Sequence, residues 1–374
     1  MQSRRRFLSL ASGALAASAL GTRRLLGADA ASGRKPLKIL ILGGTRFIGL
    51  HLTELALGRG HSVTFFNRGR TGNDRFVQVE RIKGDRNGQI DALKGHRFDA
   101  VIDDSGYVPR QVRMTAELLV ENVPQYIFFS SVSVYSDFWA PRSEKSNVGS
   151  LQDTTIEKVD EKTYGPLKAL CERAVSKVYG PSCTIVRPGL IVGPEDNTDR
   201  FTYWPVRAAR GGDFIAPGAP SGKIQYIDAR DLAAFIIRGI ERKTYGTFNV
   251  VTAPGQVTMG ALISACVRSA TRLAKPAKPP RPVWVSAKFL QAQKVQAWSE
   301  MPVWLPPTGE SAAFAATSNK LAVSAGLRCR SVSETVNDTL AWHLARPVLE
   351  RDSLKAGISA ARESSVLAAW HRRG

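Results

Sequence analysis

The feature that most constrains this chain is a six-residue run, apolar but for Lys38, Leu37-Lys38-Ile39-Leu40-Ile41-Leu42, followed at once by Gly43-Gly44-Thr45-Arg46-Phe47-Ile48-Gly49. The run reads as a strand buried on both faces. Beyond the glycines, Ile48, Leu52, Leu55 and Leu57 share a helical stripe that stops at Gly58 and Gly60. A strand feeding a helix through a glycine turn presents free backbone N–H groups and a positive dipole end, which is an anion seat. The texture repeats. Strands are expected at 61–67, 79–82, 98–103, 126–130 and 184–187, with helices at 110–121 and 164–179. This alternation predicts an α/β chain with a Rossmann-type doubly wound parallel sheet. Beyond Gly189, glycine and proline cluster and Trp204, Trp284, Trp298 and Trp304 accumulate, which predicts a smaller, loop-rich substrate-binding domain. The expected boundaries are 36–190 for the nucleotide-binding domain, with some later segments returning to it, and 191–345 for the substrate-binding region. A tail at 346–374 carries a helix capped by Ser359. A chain of 374 residues accommodates two such domains.

Residues 1–30 read as a separate unit. Ser3-Arg4-Arg5-Arg6-Phe7-Leu8 precedes a short apolar run to Leu20, and Ala28-Asp29-Ala30 offers small residues at a peptidase site. The pattern resembles a twin-arginine export signal. It predicts an exported, periplasmic protein handled by the twin-arginine machinery; a chain whose signal did not function would stay in the cytoplasm. A basic arm or an uncleaved anchor is the alternative. No later stretch has the ~20 uncharged apolar residues of a membrane span. The formal charge is +20, and the signal segment holds only five arginines and one aspartate of that balance, so the body itself is cationic. That charge suits nucleic acid, membrane headgroups or phosphorylated cofactors without choosing among them. Cys171, Cys183, Cys266 and Cys329 are far apart, and no histidine has a partner at metal spacing, so buried free thiols and no metal are expected.

Gly43 allows the tight turn, and Gly49 lets helix and strand pack closely. Arg46 stands where such turns usually carry a middle glycine, and either pairs with a phosphate or points away. At the end of the second strand a carboxylate would bind the ribose hydroxyls of NAD. The chain has Asn67-Arg68-Gly69-Arg70 there instead. Arginine forks suit a 2′-phosphate, so NADP is preferred over NAD, unless these arginines simply form a solvated loop. Asp85, after the third strand, either accepts from an adenine amino group or is an ordinary turn aspartate. Tyr164 and Lys168 lie one helical turn apart. A tyrosine acts as a base near neutrality only with help, since its ordinary pKa is about 10, and a nearby ammonium supplies such help. Ser131, just past the fifth strand, is the hydroxyl expected to hold the substrate oxygen.

On these residues, together with Gly84-Asp85, Ser130-Ser131-Val132-Ser133-Val134-Tyr135, Arg187-Pro188-Gly189-Leu190-Ile191-Val192-Gly193-Pro194 and Gln225-Tyr226-Ile227-Asp228-Ala229-Arg230-Asp231, the chain resembles the extended short-chain dehydrogenase/reductases of the NAD-dependent epimerase/dehydratase type. The resemblance covers about Leu37 to Trp342. Arg46 and Asp103-Asp104-Ser105-Gly106-Tyr107 are similar to a sub-branch that includes chloroplast stem-loop RNA-binding proteins. The likeness implies a catalytic trio of Ser131, Tyr164 and Lys168. It implies a cofactor set of Gly43, Thr45, Arg46, Phe47, Ile48, Gly49, Asn67, Arg68, Asp85, Arg86, Ser105, Tyr164, Lys168 and Pro188. It places Ser133, Tyr135, Arg200, Gln225 and Arg230 toward the substrate, and it suggests a homodimer through the helix bearing Tyr164.

The expected activity is hydride transfer between NAD(P) and a hydroxyl or keto carbon of a sugar-like substrate. A protein folded around its nucleotide before export must reuse it, which favours epimerisation, or paired oxidoreduction, over free exchange, and calls for a tightly bound cofactor. Nucleotide sugars are scarce outside the cytoplasm, so a plain or lipid-linked sugar is the expected substrate. An RNA-binding protein on the same scaffold and a nonenzymatic NADP sensor are the alternatives. Scattered basic residues, without alternating arginines and aromatics, speak against nucleic acid. Tryptophans near 298–304 would either roof a sugar or pack in the core.

Overall fold

The computed structural model describes residues 35–351 and 353–373. The segment read as an export signal lies outside the described residues. The nucleotide-binding half runs through β1 (Lys38–Leu42), α1 (Ile48–Gly58), β2 (Ser62–Asn67), β3 (Glu80–Lys83), β4 (Ala100–Asp103), α2 (Pro109–Leu119), β5 (Tyr126–Phe129), α3 (Tyr164–Tyr179) and β6 (Cys183–Pro188). A late strand, Gly246–Val250, returns to pair with β6. The result is a seven-stranded sheet in the order Gly246–Val250, β6, β5, β4, β1, β2, β3, parallel throughout.

Burial explains the composition of the strands. Every residue of β4, β5 and β6 is buried, because helices cover both faces. On one face Leu52 and Ala56 of α1 meet Leu232, Phe235 and Ile236 of the helix Ala229–Glu241. On the other, Val112, Ala116 and Leu119 of α2 pack with Cys171 and Val175 of α3. The strand order reverses between β1 and β4, and Leu42 pairs with Asp103. Their ends therefore open a crevice at one level, the place where such sheets bind ligands.

The second half has its own core of Phe201, Tyr203, Trp204, Phe214, Leu262, Met301 and Trp304. Strands Gly212–Pro217 and Pro280–Val285 pair in parallel at its edge. The chain's final helix, Ala360–His371, is capped by Ser359 and is docked on this core rather than hanging free. Its buried Glu363 accepts from Arg207 at 2.6 Å and from the Ile215 N–H at 3.1 Å. Cys171, Cys183 and Cys266 are buried, Cys329 is half-buried, and all four are free thiols. Among the described residues no helix is long and apolar enough to cross a membrane.

Candidate active site

At the end of β1 the backbone turns through Gly43 at φ +117° and Gly44 at φ +80°, a region where only glycine sits without strain. A Cβ on Gly49 would fall 2.5 Å from the Gly44 backbone, so the start of α1 lies directly on the turn. Phe47, at the helix entry, holds φ 38°, which is strained for a side-chain-bearing residue. The Arg46 side chain makes no hydrogen bond or ion pair among the described residues and borders two adjoining hollows of about 640 and 410 Å³.

The smaller hollow is bordered by Gly43, Thr45, Arg46, Asn67, Arg68, Asp85, Arg86 and Ser105. Gly43, Thr45, Arg46 and Ser105 continue into the larger one, where Phe47, Ile48, Tyr164, Lys168 and Pro188 join them. The expected cofactor residues thus fall along one continuous bed, with Gly49 packed behind it. They are not equally available. Asn67 is fastened, donating to the Gly43 carbonyl at 3.1 Å and accepting from the Gly69 N–H at 2.9 Å. The Arg86 fork is taken up by the buried Asp103 at 2.6 and 2.7 Å. Arg68 and Arg70, by contrast, have no hydrogen-bonding or ionic partner among the described residues, and no carboxylate stands at the end of β2.

Ser131 follows β5 and caps a single 3₁₀ turn, its hydroxyl accepting from the Ser133 N–H at 3.1 Å. Tyr164 opens α3 across the same hollow. Burial raises its phenol pKa above the ordinary value, while the neighbouring Ser131 hydroxyl and the Arg200 guanidinium act the other way. The phenol is therefore protonated at rest. Lys168 is 3% exposed, and its Nζ donates to the Gly106 and Phe129 carbonyls, both at 2.7 Å. It stands 4.5 Å from the Tyr107 ring centre. Burial lowers its pKa to about 8. Ser131 and Arg200 favour the Tyr164 phenolate here.

The expected substrate residues divide. Ser133 and Arg200 border the larger hollow. Arg200 donates to Thr198 Oγ1 at 3.2 Å and faces the Trp298 ring at 5.7 Å. Tyr135, Gln225 and Arg230 do not reach the hollow, which corrects the expectation. The Tyr135 hydroxyl donates to Asn249 at 2.6 Å and accepts from Arg187 at 3.2 Å. Gln225 donates to the Thr252 and Thr317 carbonyls at 2.7 and 2.9 Å, and accepts from the Thr317 N–H at 2.9 Å. Arg230 is paired with Asp228 and Asp338. All three lie where an unpartnered polar group is costly, so they are bonded within the protein. Arg187 is likewise committed to Glu172, at 2.8 and 2.6 Å. Sequence reasoning did not assign Asp104, Tyr107, Asn197, Thr198 or Phe314, which also border the hollow. Paired acids at the end of β4 were the signal for Asp104; the others sit in loops without periodicity. Of the tryptophans, Trp298 borders the hollow, edge-on to Phe314 at 5.3 Å, while Trp304 is buried in the second core.

The family model for the NAD dependent epimerase/dehydratase family matches residues 39–250. The chain belongs to that family. It is therefore a member of a family of enzymes, and the matched segment spans the whole seven-stranded sheet, apart from the first residue of β1. A chloroplast stem-loop binding protein of 41 kDa, from Arabidopsis thaliana, is 30% identical over 250 residues, covering 62% of this chain. The chain spans 63% of that relative's length. Among solved structures, a UDP-glucose 4-epimerase is 16% identical with a TM-score of 0.60, covering 83% of this chain and 98% of its own. A UDP-glucuronic acid 4-epimerase from Bacillus cereus, solved with NAD, is 15% identical with a TM-score of 0.56, covering 82% and 98%. At such identities these structures share the fold.

Proposed function

We propose that this protein is an NAD(P)-dependent oxidoreductase of the epimerase/dehydratase kind, acting on a hydroxyl or keto carbon of a sugar-like molecule. The observation that carries the reading is the meeting of Tyr164, Ser131 and the glycine turn along one cleft. The residues fit a dinucleotide. Gly43 and Gly44 put no side chain of their own on the turn, the start of α1 faces the cleft, and Arg46, Arg68 and Arg70, without hydrogen-bonding or ionic partners among the described residues, follow it toward the end of β2. A nicotinamide, when bound, supplies the acceptance and donation of hydride.

The chain's own residues do the rest. Ser131 and Tyr164 hold the substrate oxygen; Tyr164, protonated at rest, gives its phenolic proton to a keto oxygen, and the phenolate left by that transfer is the form that takes a proton back from a hydroxyl. Arg200 favours the phenolate when the proton leaves. Lys168 fixes the loop after β4 to the end of β5 through its two carbonyl contacts, and borders the cleft. Trp298 and Phe314 offer aromatic faces to a sugar ring. Arg68 and Arg70, with no acid at the end of β2, favour NADP.

Export through the twin-arginine route rests on Arg4, Arg5 and the residues around them. It makes a retained nucleotide, and a reaction that regenerates it, the natural chemistry. The homodimer through α3 is part of the same reading. The test is to isolate the native protein and identify the nucleotide that accompanies it. NADP(H) or NAD(H) at near-stoichiometric level supports the reading; neither present, and neither taken up on addition, contradicts it.

A second reading, RNA binding, is favoured by the name of the Arabidopsis relative and by the +20 charge. Counterion release makes such binding fall steeply with salt, so retention of stem-loop RNA that weakens along a salt series would support it.

A further inference from the structure

β4 ends on Asp103, a second acid, Asp104, follows it directly, and the fold uses the two differently. Asp103 is fully buried and satisfied: besides the Arg86 fork it accepts from the Tyr126 hydroxyl at 2.7 Å and the Ser105 N–H at 3.2 Å. Asp104 turns into the larger hollow. One oxygen accepts from the Gly44 N–H at 3.2 Å. The other stands 2.1 Å from where a Cβ on Gly43 would lie. No lysine or arginine forms an ion pair with it among the described residues. A carboxyl group therefore rests on the turn, beside the start of α1, where sheets of this kind seat a pyrophosphate.

Two anions do not share that place comfortably. A carboxylate engages a turn amide and repels phosphate oxygens at short range in a poorly solvated cleft. A protonated carboxyl keeps the turn contact, its carbonyl oxygen still accepting from Gly44, but carries no charge to repel the phosphate, and its O–H becomes a donor. The charged and titratable groups facing Asp104 are Asp103 from its own strand, Arg86 from beyond β3, Lys168 from α3, and Tyr107 from the following turn. Arg46, on the glycine turn, borders the same hollow. Burial, aided by Asp103, pushes the Asp104 pKa up to about 7 against the Gly44 bond and the pull of Arg86 and Lys168.

We infer that Asp104 couples dinucleotide binding to a proton: the nucleotide is held when this carboxyl is protonated, and binding draws a proton from solvent onto it. The inference rests on the nicotinamide-nucleotide reading above. NADH is the suitable probe, because it lacks the titrating 2′-phosphate of NADPH. Its affinity for wild-type protein should be flat at acidic pH and weaken toward tenfold per unit above about pH 7, while Asp104→Asn should bind with little pH dependence over the same range. Calorimetry in two buffers of different ionisation heat should show uptake approaching ~1 proton at about pH 8 in the wild type, and none in the variant. Identical pH profiles for the two proteins would overturn the inference and assign the slope to another group such as Lys168. Should the variant not fold, absence of proton uptake by the wild type overturns it alone. Failure of both proteins to bind NADH at any pH would instead bring down the nucleotide reading, and this inference with it.

Discussion

Most arginines that line the cleft and several that lie outside it are used in opposite ways. Toward the nucleotide end Arg46, Arg68 and Arg70 border the hollows without hydrogen-bonding or ionic partners among the described residues. Outside the hollows several arginines are spent, whereas Arg200, which borders the larger one, donates only to Thr198 Oγ1. Arg187 is locked on Glu172, Arg230 on Asp228 and Asp338, and Arg330 on Asp231, while Arg142 donates to the carbonyls of Ala313 and Phe314 at 2.9 and 3.0 Å. An arginine at the rim keeps its water until a ligand arrives, whereas a buried one must be paired inside the protein. Residue type therefore does not identify a binding arginine; its surroundings do.

Removing one partner of a spent pair should have the largest effect. Glu172→Ala leaves Arg187 buried without its carboxylate and should cost about 3–5 kcal/mol in urea unfolding. A loss below about 1 kcal/mol would place Arg187 among the free arginines instead.

Next in size, Tyr164→Phe should lower turnover by about 10²–10⁴ while leaving nucleotide affinity and stability unchanged. Tyr135→Phe should do the reverse, keeping turnover and costing about 1 kcal/mol through the lost bond to Asn249. If Tyr135→Phe abolished turnover with the fold intact, the division between site and strut would be misplaced.

A smaller effect is expected at the free end. Replacing Arg68 and Arg70 by alanine should weaken NADPH by about tenfold or more, on the scale of one or two charge-assisted hydrogen bonds, and NADH little. Equal losses for both nucleotides would remove the 2′-phosphate assignment.

A separate effect concerns Asp104 without any ligand. Its folded-state pKa lies above its unfolded value, so the stability it contributes is present below about pH 4 and is lost as pH rises through about 7. Asp104→Asn should gain several degrees in melting temperature over the wild type at about pH 8, and nothing at about pH 4. The same difference at both pH values would mean that the carboxyl is not strained in the fold.

Much of the nucleotide half was legible because its constraints are local. A β-branched run, a turn that only glycine can make, and an apolar helical stripe each leave a mark within a dozen residues. The i, i+4 spacing of Tyr164 and Lys168 placed both on α3, and Ser359 marked its helix correctly. The destination of a long side chain is not local. Lys168 reaches the carbonyls of Gly106 and Phe129, and Gln225 reaches Thr317; nothing in their neighbouring residues encodes those partners. Gln225 and Arg230 were drawn toward the substrate by motif alone, and the fold spends them on holding segments distant in sequence together. Asp104 shows the converse, a residue marked only as a departure from pattern that the fold brings onto the glycine turn.

The central claim is that the two hollows form a single dinucleotide bed ending at Tyr164. A crystal structure of the protein with NADPH tests it most directly. The account predicts the adenosine end in the smaller hollow with its 2′-phosphate against Arg68 or Arg70, and the nicotinamide ring in the larger one beside Tyr164 and Ser131. A nucleotide bound elsewhere, or a ring held away from the Tyr164 hydroxyl, would contradict it.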